Sequence, residues 1–197
     1  MVIACRKVKF FVPDKLDSRL PEYSESGRNI GGAIINDTAW RTKPINSGAR
    51  KYNPLQIYST LSGDSTVFSF NGNYIEGTRQ HISLSLFVVI KGLKIEKEDS
   101  LIKLENKTFL LDGVNSYSAM GIFGIDSLIG KGKLVFNTVK KISNVVYGDG
   151  SPSNPKRYPY VISGTFEFTI NGSKVYRVQN GRFDMVVRDG YELRMNQ

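Results

Sequence analysis

Few side chains here are able to do nucleophilic or metal chemistry: the sequence holds one cysteine, Cys5, and one histidine, His81. A single cysteine excludes an intrachain disulfide and a cysteine-rich zinc site, and a lone imidazole leaves little for transition-metal ligation. Gly63-Asp64-Ser65-Thr66 carries the Gly-Asp-Ser block of an α/β esterase family that pairs its serine with a late Asp-x-x-His. Nothing near His81 has that spacing, so the block reads as a turn. The stretch 124–131 ends in Gly-Lys, but it has one residue too many for a phosphate-binding loop. Gly132 also stands where that loop needs a hydroxyl residue.

Three acids, Glu76, Glu167 and Asp184, fall on or beside expected strands. Glycoside hydrolysis needs two carboxyl groups facing each other across a cleft, and no spacing links any two of these. Asp149 lacks the neighbouring acids of a calcium loop. Lys156-Arg157-Tyr158 and Lys174-Val175-Tyr176-Arg177 mix cations with aromatics, as single-strand nucleic-acid binders do. Tyrosine is equally a good strand residue. No catalytic, cofactor-binding or metal-binding residue is expected.

The elements that must position these residues are strands. The 197 residues suit one large domain, with 40% apolar and 23% charged residues. Ten Tyr, 11 Phe and 19 Gly favour strands joined by tight turns. Lys and Arg total 27 against 18 acids, a net charge of +9. The charges are scattered rather than blocked, which reads as a solvated surface. No apolar run approaches the ~18 residues of a spanning helix.

Residues 30–35 and 38–41 read as a hairpin about Asn36-Asp37. Residues 55–61 and 65–70 flank a second turn, and Asn71-Gly72-Asn73 is a third turn signal. The clearest strand is 81–90, where Ile82, Leu84, Leu86, Val88 and Ile90 share one face. Residues 91–105 suit a short helix or a charged loop, followed by strands at 108–111, 116–123 and 133–139. A loop of breakers fills 148–155. Residues 160–170 and 174–187 form the last hairpin, with a bulge at Asn180-Gly181.

Nine or ten such strands predict an all-β fold, an antiparallel β-sandwich, with a lipocalin-like β-barrel as the alternative. Residues 28–197 form the single β domain, and residues 1–27 read as a lipoprotein leader remnant and flexible tether. The expected core holds Trp40, Ile82, Leu84, Leu86, Val88, Phe166, Phe168 and Phe183.

Val2-Ile3-Ala4-Cys5 has the aliphatic, variable, small, Cys order that ends a bacterial lipoprotein signal. Only Met1 precedes it, so an apolar leader is expected upstream and Cys5 is expected to carry lipid. Leu20-Pro21, Gly27-Arg28-Asn29-Ile30-Gly31-Gly32 and Asn36-Asp37-Thr38-Ala39-Trp40 open the domain; Ile162-Ser163-Gly164-Thr165-Phe166-Glu167-Phe168 and Asn180-Gly181-Arg182-Phe183-Asp184 close it. These segments resemble an uncharacterised β-rich lipoprotein family of the Bacteroidota. Asp37-Thr38 departs from that family's usual turn, and Ile30-Gly31 from its Thr-aromatic pair.

The resemblance implies location rather than mechanism, since the family has no established activity. Thr38, Ser65, Ser100 and Ser127 match the Asp-Ser/Thr pattern of O-glycosylation in that phylum. Arg6, Lys7 and Lys9 follow Cys5 where surface export there favours acids, so an outer-membrane lipoprotein facing the periplasm is expected. The function that follows is a membrane-tethered, non-catalytic cell-envelope module. It binds an unknown ligand, envelope protein or glycan through its strand connections, and no nucleic acid. The alternatives are a hydrolase of envelope polysaccharide and a basic nucleic-acid-binding domain.

Overall fold

The computed structural model describes residues 11–47, 50–60, 63–76, 80–95, 97–122, 128–147, 150–151, 156–188 and 193–194. Alternating apolar residues and turn chemistry give thirteen strands among them. These are β1 Ile30–Ile35, β2 Thr38–Thr42, β3 Ile45–Ser47, β4 Arg50–Tyr52, β5 Leu55–Ser59, β6 Ser65–Glu76 and β7 Gln80–Lys91. A 3-10 helix, Glu98–Leu104, precedes β8 Thr108–Leu111, β9 Ser116–Ile122, β10 Leu128–Lys141, β11 Tyr160–Asn171, β12 Val175–Val187 and β13 Leu193–Arg194.

Eight of these strands close into a barrel. β1, β2, β6, β7, β9, β10, β11 and β12 neighbour one another in chain order, each antiparallel to the next, and β12 returns to pair with β1. The sandwich expectation is therefore corrected. A sandwich needs two sheets with free edges, whereas β6–β7 and β1–β12 pairing leaves the ring none. Periodicity could not tell the two apart, because both bury every second residue. The barrel alternative is compatible with this closure, and the sequential strand order is that of up-and-down barrels. Register shifts at Gly32/Ile34, Phe136/Thr138 and Phe166/Phe168 bend the long strands round.

The first hairpin forms as the sequence predicts. Asn36 and Asp37 take φ of 45° and 68°, a two-residue turn that matches strand twist. Asn71-Gly72-Asn73 is not a turn but the middle of β6. Gly72 is there for space: a Cβ on it would lie 2.4 Å from the Trp40 ring.

The lumen is filled. Phe68 and Phe70 of β6 meet Phe136, Phe166 and Phe183 from the opposite wall, with ring centroids 5.2–5.4 Å apart. Eight strands leave room for packed side chains and little else. Ile95, Leu101 and Leu104, around the 3-10 helix, are fully buried beside this cluster and close one end of the barrel. Outward positions on β10, β11 and β12 carry Lys131, Lys133, Glu167, Arg177 and Gln179, a solvated wall.

Of the stretch read as a tether, residues 1–10 lie outside the described residues, and residues 11–27 lie against the barrel. Leu20 is buried with Ile34 and Ala39. Arg41 sits 4.0 Å over the Phe11 ring. The buried carboxylate of Asp184 accepts from the backbone N–H of Gly27 at 2.7 Å and of Arg28 at 3.0 Å, and from Ser24 Oγ. Asp14 pairs with Arg182 of β12.

Candidate functional site

The two ends of the barrel differ. The capped end receives the long excursions through β3–β5, the 3-10 helix and the 142–159 connection. At the other end the described connections are tight: the Asn36-Asp37 turn and the 171–175 turn, closed by Gly172 N–H to Lys174 O at 3.2 Å. A cavity of about 450 Å³ opens there, lined by Asn36, Thr38, Tyr74, Ile82, Leu84, Met120, Lys174 and Tyr176. These residues come from β2, β6, β7, β9 and β12 and their turns, so the cavity is the barrel's mouth.

Alternation aims the apolar residues inward. Leu84 pairs with Gly72 and Ile122, and Met120 with Leu86 and Leu128. Leu84 and Met120 are buried and make the floor. Ile82 occupies the same face of β7 as Leu84 and Leu86 and was expected in the core. It is 39% exposed, because it stands at the rim where nothing in the described chain covers it. The other seven expected core residues are buried.

Polar groups at the mouth divide into engaged and free. The Tyr74 hydroxyl donates to Ile35 O at 2.6 Å, and the Asn36 amide donates to Val175 O at 2.8 Å and accepts from Arg177 N–H at 2.9 Å. These bonds fix the rim: Asn36 ties the first hairpin to the start of β12. Thr38, Lys174 and Tyr176 line the cavity, and their side chains make no hydrogen bond or ion pair among the described residues. Lys174 is the one charged side chain among the described lining residues, and no carboxylate lines the cavity among them.

The residues singled out in the sequence lie mostly elsewhere. Cys5 and Ser127 fall outside the described residues, as do the side chains of Glu76 and His81. Glu167 is exposed and pairs with Lys133 at 3.0 Å, while Asp184 is buried under the N-terminal segment, so the two acids have separate employment. Thr38 is half-buried in the mouth; Ser65 is buried with its hydroxyl donating to Asp64 at 2.8 Å, and Ser100 is buried in the 3-10 helix. Gly130, Lys131 and Gly132 lie within β10, not in a strand-to-helix turn.

The basic aromatic fragments are also used internally. Arg157 lies over the Tyr147 ring at 5.8 Å and Lys141 over Tyr158 at 4.6 Å. Tyr176 packs against the core. Sequence reasoning missed the mouth because its residues sit in five strands. The one clue in the sequence is Lys174-Val175-Tyr176, a cation beside an aromatic, a pairing that suits a nucleic-acid surface and a cavity rim alike. No family model matches this chain, and neither a curated protein nor a solved structure matches it.

Proposed function

We propose that this chain is a non-catalytic binding module whose ligand enters the open mouth of the barrel. The observation that carries the reading is Ile82, an inward apolar side chain left open to water above the apolar floor of Leu84 and Met120. Small-molecule sites are concave, mostly apolar, and set with a few polar groups, and barrel mouths are among their usual places. The cavity volume falls within the range of such sites. The packed lumen limits the ligand to the mouth.

A neutral apolar dye, N-phenyl-1-naphthylamine, tests this. Its fluorescence should rise on binding to the wild type. Ile82→Trp, which fills the rim without touching the packed lumen, should abolish the rise and leave the circular dichroism unchanged. Undiminished dye binding by that folded variant would overturn the mouth as the site.

Tethering through lipid on Cys5, at an outer-membrane position facing the periplasm, belongs to the same proposal. It rests on Val2-Ile3-Ala4-Cys5. Stable anchoring takes two or three acyl chains, since one binds only marginally. Fractionation of cells expressing the full gene with Cys5→Ala is the check: release into the soluble fraction supports the tether, and retention in the membrane removes it.

A further inference from the structure

We infer that the mouth takes an amphipathic anion, with its apolar body on Leu84 and Met120 and its oxyanion head at Lys174, Tyr176 and Thr38. This deepens the reading of the mouth as a binding site and rests on it. Three hydrogen-bond donors line the rim without a partner in the described chain: the Lys174 ammonium and the hydroxyls of Tyr176 and Thr38. The other two polar side chains there are already engaged: the Tyr74 hydroxyl donates to Ile35 O, and the Asn36 amide donates one N–H to Val175 O and accepts from Arg177 N–H. The site therefore offers donors and a positive charge, with no acid among the described lining residues to attract a cation.

An oxyanion is the group that fits. It is acceptor-only, with lone pairs for several donors at once, and charge-assisted bonds to an ammonium are about twice as strong as neutral ones. A cationic head would meet Lys174 with like charge. A neutral alcohol could accept from two donors at most and would leave the ammonium unneutralised. The body of the ligand must be apolar because the surfaces below the rim are Leu84, Met120 and the exposed face of Ile82. Its length is limited by the filled lumen, so a medium-chain alkyl group suits the cavity and a long one would protrude.

Displacement of the neutral dye by dodecanoate, dodecanol and dodecyltrimethylammonium tests the assignment, using the full chain at low salt and below the micellar range. Dodecanoate should bind at least about tenfold more tightly than dodecanol, and the cation weakest. Lys174→Gln should weaken dodecanoate about tenfold, leave dodecanol unchanged, and lose the salt dependence of dodecanoate binding; Lys174→Arg should restore it. Equal binding of dodecanoate and dodecanol, or a Lys174→Gln protein unaltered toward dodecanoate, would overturn the head-group assignment while leaving the mouth as a site. Failure of all three amphipaths and of the dye to bind would take the mouth reading down with it.

Discussion

The Trp40 indole reaches from β2 over Gly72 of β6 and donates its Nε1–H to the carbonyl of Leu84 on β7, at 2.9 Å. A single side chain thereby spans three strands beneath the mouth. Indole nitrogen needs a partner when buried, and Trp40 is fully buried. Gly72→Ala would place a methyl group 2.4 Å from both the ring and the Arg41 carbonyl. Overpacking of this kind costs about 1–3 kcal/mol. Trp40 is the only tryptophan, so denaturant melts followed by its fluorescence should show that loss together with a red-shifted native emission. A native spectrum and midpoint identical to wild type would show that the ring is not held against Gly72.

Two aliphatic positions on one face of β7 should respond very differently to truncation. Leu86 is fully buried, and Leu86→Ala should cost about 2–5 kcal/mol. Ile82 is exposed at the rim, and Ile82→Ala should cost less than about 1 kcal/mol, near the range of surface changes. Urea unfolding of both variants checks the contrast. Similar losses would mean that the mouth is covered in solution.

Asp184 anchors the N-terminal segment, so its neutralisation should free that segment and spare the barrel. Hydrogen bonds to a charged group contribute roughly 1.5–3 kcal/mol. With Asp184→Asn, limited proteolysis within residues 11–27 should accelerate while the β-sheet circular dichroism persists. Protection equal to wild type would show that the anchoring lies elsewhere, as in Leu20.

Asp14 supplies a pH dependence. The N–H groups of Leu16 and then Asp17 hold its carboxyl below its ordinary value of 3.8, opposed by desolvation and helped by Arg182. A depressed folded pKa stabilises above the unfolded value and loses that contribution as pH falls through the folded one. Wild type should therefore exceed Asp14→Asn in urea stability at pH 6, with the gap closing as pH drops below about 4. A gap that stays constant down to pH 2 would rule the ionised carboxylate out as its cause.

Much of the strand content was legible because it is written locally. The Asn36-Asp37 turn, the alternation of 81–90, and the bulge at Asn180, which takes φ of 53°, each depend on neighbours in sequence. The strand Thr108–Leu111 has the same bounds in the sequence pattern and in the fold. Closure was not legible, since pairing of Ile30 with Asp184 leaves no periodic trace. Gly72 misled because glycine marks both turns and close approaches. Ile82 misled because period two tells which way a side chain points, not whether anything covers it. That failure fell on the candidate site, where the pattern of a buried residue and its exposure part company.

The closure of β12 onto β1 also governs how the chain can be made. A ribosome delivers β1 first and β12 nearly last, so the wall cannot be completed until about the whole domain has emerged. Until then β1 and β11 each present an open row of amide and carbonyl groups, the template on which nascent chains mispair. Every other seam in the ring joins strands far closer in sequence, even those separated by the β3–β5, 3-10 helix and 142–159 excursions, and can form as its own two strands appear. The longest-range seam is thus the slow, entropically costly step of folding, and the protein depends during synthesis on whatever keeps those two edges apart from other chains.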